Sequence, residues 1–132
     1  MSYKILNDAT RNENHGYESL SDDYAYYDGN ANTYLAPDWK GPGWYRFQSP
    51  AGVKMPENAV AIQHCGTNIA HWLNGAHPTV VGETVTRTSC GHWSSNTCYK
   101  TVSIQIKKCG NYFLYYLPNV PQDYGRYCAT NN

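Results

Sequence analysis

Residues 99–108, YKTVSIQIKK, place Val102, Ile104 and Ile106 on one side of an extended chain and Thr101, Ser103, Gln105 and Lys107 on the other. A period of two fits a half-buried β-strand and no helical face. Gly110-Asn111 follows, a pair suited to reversing the chain, and then the run YFLYYL (112–117) before Pro118 and Pro121. That order reads as a β-hairpin. A hairpin with one apolar face needs more sheet to cover it. Further strands are expected at GWYRFQS (43–49), at AVAIQHC (59–65) and, one or two, within TVVGETVTRTSC (79–90), bounded by Gly, Pro and small polar residues. No segment shows an apolar stripe at helical spacing, so the expected class is mostly β.

Residues 1–40 have another character, with few branched aliphatics and many Asn, Asp, Gly and Tyr. They are expected as a loop-rich extension with one or two short elements, ordered mainly by aromatics, on a β-rich core over 41–128. A length of 132 residues suits one small domain. No run of eighteen apolar residues is present to span a membrane. The opening MSYKILNDATRN lacks the basic and apolar regions of a secretory leader, so the chain as it stands is expected to carry no signal peptide. Ten basic and ten acidic side chains balance to zero, and Lys107-Lys108 is the only short basic pair, which argues against a nucleic-acid partner.

Five cysteines in so short a chain point to disulfides and an oxidising compartment. An odd number leaves at least one thiol free or paired outside the chain. Thirteen tyrosines supply most of the aromatic content. Tyrosine covers apolar surface and still hydrogen-bonds at its tip. Such a composition suits binding faces and wet cores alike, and a Tyr-rich, self-associating extracellular material is a further reading.

The motifs for chemistry are thin. His71 and His77 are six apart, which is not a zinc-ligand spacing, His64 only adjoins Cys65, and neither HExxH nor paired CxxC occurs. Asp28, Asn30 and Asn32 open like an EF-hand calcium loop, but Thr33 and Trp39 stand where its glycine and glutamate belong, so an Asx-capped turn is the better reading. Ser94 and Ser95 lack a nucleophile elbow, and Glu57 with Glu83 is a pair of carboxylates without further support. Neither catalysis nor a cofactor is expected. The remaining conspicuous stretch is WLNGAHP (72–78), where bulky side chains flank the turn pair Asn74-Gly75. It could pack on the protein, or present a tip that binds sugar or a partner, with Trp72, Asn74, His77, Tyr34 and Trp39 as candidate contacts.

The stretches YKILNDATRN, GWYRF, AGVKMPENAV, CGTNIAHWLNGAHPTV, CGHWSSNTC, VSIQIKKCG and RYC, in this order, resemble the uromodulin-type eight-cysteine extracellular domain. The resemblance runs from about residue 3 to Cys128 and is poor over 12–40. It implies secretion, a disulfide-stapled β-rich fold, and recognition of an extracellular protein or a glycan. The implied bridges are Cys65–Cys128 and Cys90–Cys98. Cys109 is left unpaired, its partner lying just before residue 1. Ala59 with Thr97, and Asp123 with a position near Ala36-Pro37, would mark two bridges lost as pairs. Family members carry N-glycans that decoy bacterial adhesins, one of them at the position of Asn74. Here Asn74-Gly75-Ala76 is no acceptor, the family's other glycan position, near Tyr116, has lost its asparagine, and Asn96-Thr97-Cys98 is at most a rare cysteine sequon, so the decoy role is not implied. On this reading Trp72 and His77 anchor a surface turn whose tip is Asn74-Gly75. A binding tip is the alternative.

Overall fold

A computed structural model describes residues 2–18, 22–24, 35–121 and 124–132. Among the described residues seven strands form one sheet: β1 (Lys4–Leu6), β2 (Gly43–Phe47), β3 (Ile69–Asn74), β4 (Thr84–Trp93), β5 (Asn96–Cys109), β6 (Tyr112–Leu117) and β7 (Gly125–Tyr127). Their order across the sheet is β1-β2-β6-β5-β4-β3-β7. Both edge strands are three residues long and pair parallel to their neighbours, β1 with β2 and β7 with β3. Such short edges offer little template for unwanted strand addition.

The alternation in β5 sets the sheet's two faces. Ile104 and Ile106 are buried while Thr101, Ser103 and Gln105 are exposed. Across the ladder Arg87 faces Ile104 and Val85 faces Ile106. Leu6, Tyr45, Phe47, Leu73, Tyr115, Leu117 and Tyr127 complete one apolar cluster, closed by Ala36 and Trp39. The tyrosines are a large part of this interior, with their hydroxyls satisfied. Tyr45 donates to the Gly41 carbonyl at 2.7 Å, and Tyr127 to that of Pro118 at 2.6 Å. A buried phenol needs such a partner.

One expectation is corrected. Residues 59–65 form no strand: Gln63 and Cys65 adopt φ of 57° and 59°, which no pleated strand allows. Of the one or two strands expected within 79–90 one forms, β4, and it begins at Thr84. Within 1–40, β1 joins the sheet and Trp39, 1% exposed, stacks on Tyr45 at 4.9 Å.

Arg11 explains how so polar a segment is held. Its fully buried guanidinium pairs with Asp23 at 2.6 Å and Asp38 at 2.5 Å, and donates to the Tyr127 carbonyl at 3.1 Å. A buried charge is tolerable only when paired and hydrogen-bonded in this way. Four separate stretches of chain meet at one side chain. Two disulfides add covalent ties, Cys65–Cys128 and Cys90–Cys98, with Cα separations of 5.5 and 4.6 Å, and Cys109 is free.

Candidate functional site

Stretch 72–78 is a strand end followed by a clamped turn. Trp72 is half-buried against Val60, Cys65, Ala70 and Cys128, and its Nε1–H donates to the Thr97 carbonyl at 2.8 Å. Asn74, Gly75 and Ala76 are exposed, and His77 is buried again. Gly75, at φ 146°, has a backbone conformation that residues with a side chain rarely adopt, and a Cβ there, 2.8 Å from Arg87 Cδ, would oblige the Arg87 side chain to shift. Arg87 Nε in turn donates to the Ala76 carbonyl at 2.9 Å.

His77 joins Glu57 and Tyr115 in a chain of hydrogen bonds. Its Nδ1 lies 2.5 Å from a Glu57 carboxylate oxygen that also accepts the His77 main-chain N–H, and its Nε2 lies 2.6 Å from the Tyr115 hydroxyl. Burial lowers the His77 pKa although Glu57 opposes it, and the hydrogen bond from His77 lowers that of Glu57. At neutral pH the imidazole is therefore uncharged, donating from Nδ1 and accepting at Nε2 from Tyr115. The Tyr115 oxygen accepts from the Met55 N–H at 3.0 Å. Carboxylate, imidazole and phenol in line look like a proton relay. Tyr115 has no exposed surface, however, and both sides of its hydroxyl are engaged within the protein. The chain of bonds is a strut that holds the turn to the core.

The other nominated residues do not gather here. Trp39 lies in the core with Nε1 on Asn119 at 3.3 Å, so it cannot meet a ligand at the surface. Tyr34, Asp28, Asn30 and Asn32 lie outside the described residues. Among the described residues no cluster of three His, Cys, Asp or Glu side chains is placed to hold a metal ion. His71 is buried against Tyr127, and burial drops its pKa to about 3. His64 and His92 each face a main-chain carbonyl, those of Glu13 and Val60.

Aromatic surface is concentrated elsewhere. A concavity of about 400 Å3 is lined by Asn68, Ile69, Trp93, Tyr99, Lys100 and Tyr124. Trp93 is 36% exposed, Tyr99 48% and Tyr124 38%. The Trp93 indole N–H has no partner among the described residues, unlike those of Trp72 and Trp39. The β4–β5 hairpin turns at Ser94, with φ 56°, and so brings Trp93 and Tyr99 to one end of the sheet. Tyr124 arrives just before β7, and Lys100 Nζ sits 5.2 Å from the Tyr99 ring centre. Sequence reasoning did not select these residues. Two aromatics flanking a Ser-Ser-Asn turn were the available signal, and Tyr124 carried none.

The uromodulin-like D8C domain model matches residues 45–129. The pancreatic secretory granule membrane major glycoprotein GP2 of Canis lupus familiaris is 45% identical over 88 residues, covering 66% of this chain and 17% of the relative. Its counterpart in Mus musculus is 34% identical over 132 residues, covering 97% of this chain and 22% of the relative. Uromodulin of Rattus norvegicus is 41% identical over 88 residues, covering 66% of this chain and 14% of the relative. The chain thus spans less than a quarter of the length of these relatives.

Proposed function

The chain belongs to the uromodulin-like D8C domain family, an extracellular domain, and from that premise we propose that it is a non-catalytic recognition module contacting a protein or a glycan. The observation that carries this reading is the concavity of Trp93, Tyr99 and Tyr124, three exposed rings around one hollow. Large rings left in solvent are the usual material of binding faces, because each presents apolar area with little side-chain entropy to lose. A saccharide suits the remaining chemistry. Its C–H faces stack on the rings, while the Trp93 N–H, the Asn68 amide and the Lys100 ammonium reach its hydroxyls.

The glycan-bearing role known in the family has no support here, since Asn74-Gly75-Ala76 lacks the acceptor hydroxyl. Screening the protein and its Trp93→Ala variant against a glycan array and a panel of extracellular proteins tests the proposal. Ligands that the wild type retains and the variant loses, at unchanged melting temperature, support it. Ligands bound by neither overturn it, and ligands bound equally by both overturn the assignment to the concavity.

A further inference from the structure

A second cleft, of about 400 Å3, opens where the end of β2 and the start of β6 meet the 49–54 loop. Its lining includes Arg46, Lys54, Gln48, Asn111, Val53 and Phe113, and no Asp or Glu side chain. Arg46 is already set in place. Its Cζ lies 3.9 Å from the centre of the Tyr112 ring, and Nη1 donates to the Tyr3 hydroxyl at 3.3 Å. Lys108 Nζ stands 5.0 Å from the centre of the Phe113 ring. Among the described residues none of these three cations has an ion-pair partner. Glu57, whose charge reaches Lys54, is held by His77. Two of the ten basic side chains in a chain of zero net charge thus line one hollow, and a third stands against the Phe113 ring of its wall.

We infer that this cleft binds a carboxylate-bearing sugar, a sialic or uronic acid at the end of an extracellular glycan. The Arg46 fork matches a carboxylate with two parallel hydrogen bonds, and the Tyr112 ring behind it restrains the guanidinium before binding. Lys54 adds charge without fixing orientation. Val53, 47% exposed, and Phe113 form an apolar wall for the pyranose ring or an N-acetyl methyl group. Gln48 and Asn111 supply amides for the hydroxyls. The hollow has the size of one monosaccharide, whereas an acidic peptide would call for a row of cations along an open groove. This site is separate from the aromatic concavity and stands whether or not Trp93 binds a ligand.

Sialyllactose and glucuronic acid, with lactose as the neutral control, can be titrated while the amide signals of Asn111 and Phe113 are followed by NMR. Both acids should shift these signals saturably and lactose should not. Raising the salt concentration should weaken binding. Arg46→Gln should reduce affinity at least tenfold and Lys54→Gln severalfold. Arg46→Lys, which keeps the charge and loses the fork, should fall between wild type and Arg46→Gln and keeps the test usable should the glutamine variant misfold. No shift with either acid, equal shifts with lactose, or shifts with a polyglutamate peptide alone would overturn the inference. Loss of acid binding in Trp93→Ala would move the sugar to the aromatic concavity, overturning this assignment while upholding the recognition reading.

Discussion

The indole N–H of Trp72 donates to the main-chain carbonyl of Thr97, 2.8 Å away, tying the last strand before the Asn-Gly turn to the start of β5. Trp93, one strand further on, keeps its N–H for solvent or a ligand. The two tryptophans should respond oppositely to substitution. Trp72→Phe removes one hydrogen bond and should cost about 1 kcal/mol with binding unchanged. Trp93→Ala should change stability by no more than about 0.5 kcal/mol and abolish binding at the concavity. Denaturant titration beside a binding assay reads both, and a stability loss confined to Trp93→Ala would reverse the assignment.

The two faces of β5 give a second contrast. Ile104 is 1% exposed and its neighbour Gln105 is exposed. Ile104→Ala should cost about 2–5 kcal/mol, and Gln105→Ala should lie within about 0.5. Similar midpoint shifts for both variants in urea would mean that the strand does not have one dry face.

That strand was legible in the sequence because one of its faces is solvated, so polarity reports orientation directly. β3 was not. Ile69, His71 and Leu73 point to one side and Ala70 and Trp72 to the other, yet of these five only Trp72 escapes burial, so no alternation shows. The 59–65 stretch misled for the converse reason. Val60 is buried and its apolar neighbours suggest a strand, but the left-handed backbone at Gln63 and Cys65 leaves no compositional trace. Trp39 shows the same limit at the level of the site: a tryptophan in a polar segment reads as surface, and only the stacking on Tyr45 reveals it as core. The aromatic concavity was out of reach because Asn68, Trp93 and Tyr124 come from distant stretches brought together by the strand order.

The cysteines should differ in chemistry and in worth. Cys109 is half-buried and reduced, so iodoacetamide should label it alone in the native protein, with peptide mapping returning the other four as Cys65–Cys128 and Cys90–Cys98. Closing about 64 residues stabilises by roughly 4.3 kcal/mol, and closing about 9 by roughly 2.6, in the chain-entropy account. Replacing both cysteines of the long bridge should therefore lower the melting temperature more than replacing both of the short one. The reverse order would show that local constraint at Cys90–Cys98 matters more than loop closure.

Acid should weaken the N-terminal attachment in a defined window. Burial pushes the Asp38 carboxyl up, but the charge and hydrogen bonds of Arg11 outweigh it and hold the pKa at about 2. A carboxylate lowered on folding contributes stability that is fully present above its unfolded pKa, about 3.9, and is lost as pH falls through the folded value. The loss should amount to about 2 kcal/mol and fall between roughly pH 4 and pH 2. Asp38→Asn should be less stable at neutral pH and lack this part of the acid limb. An unaltered pH profile in the variant would place the acid sensitivity elsewhere.

Restoring an acceptor at Asn74 tests how the turn is built. Asn74 and Ala76 are both exposed, and the Arg87 bond at this point goes to the Ala76 main-chain oxygen, so a new side-chain hydroxyl disturbs nothing already made. Ala76→Thr supplies the missing hydroxyl two residues after Asn74 and completes a glycosylation sequon on an accessible tip. Expressed through a eukaryotic secretory pathway, the variant should gain a glycan that an endoglycosidase removes, with melting temperature nearly unchanged, because Trp72 and the Glu57–His77–Tyr115 chain still hold both ends of the turn. Asn74 closes β3 while Asn68 precedes it, which separates the tip from the aromatic concavity by roughly 20 Å of strand. Ligand binding through Trp93 should therefore survive the new glycan. A glycosylated, stable variant that has lost its ligand would put the binding contact at the Asn74-Gly75 tip instead, and a folded, secreted variant that stays unglycosylated would show that the tip is not open.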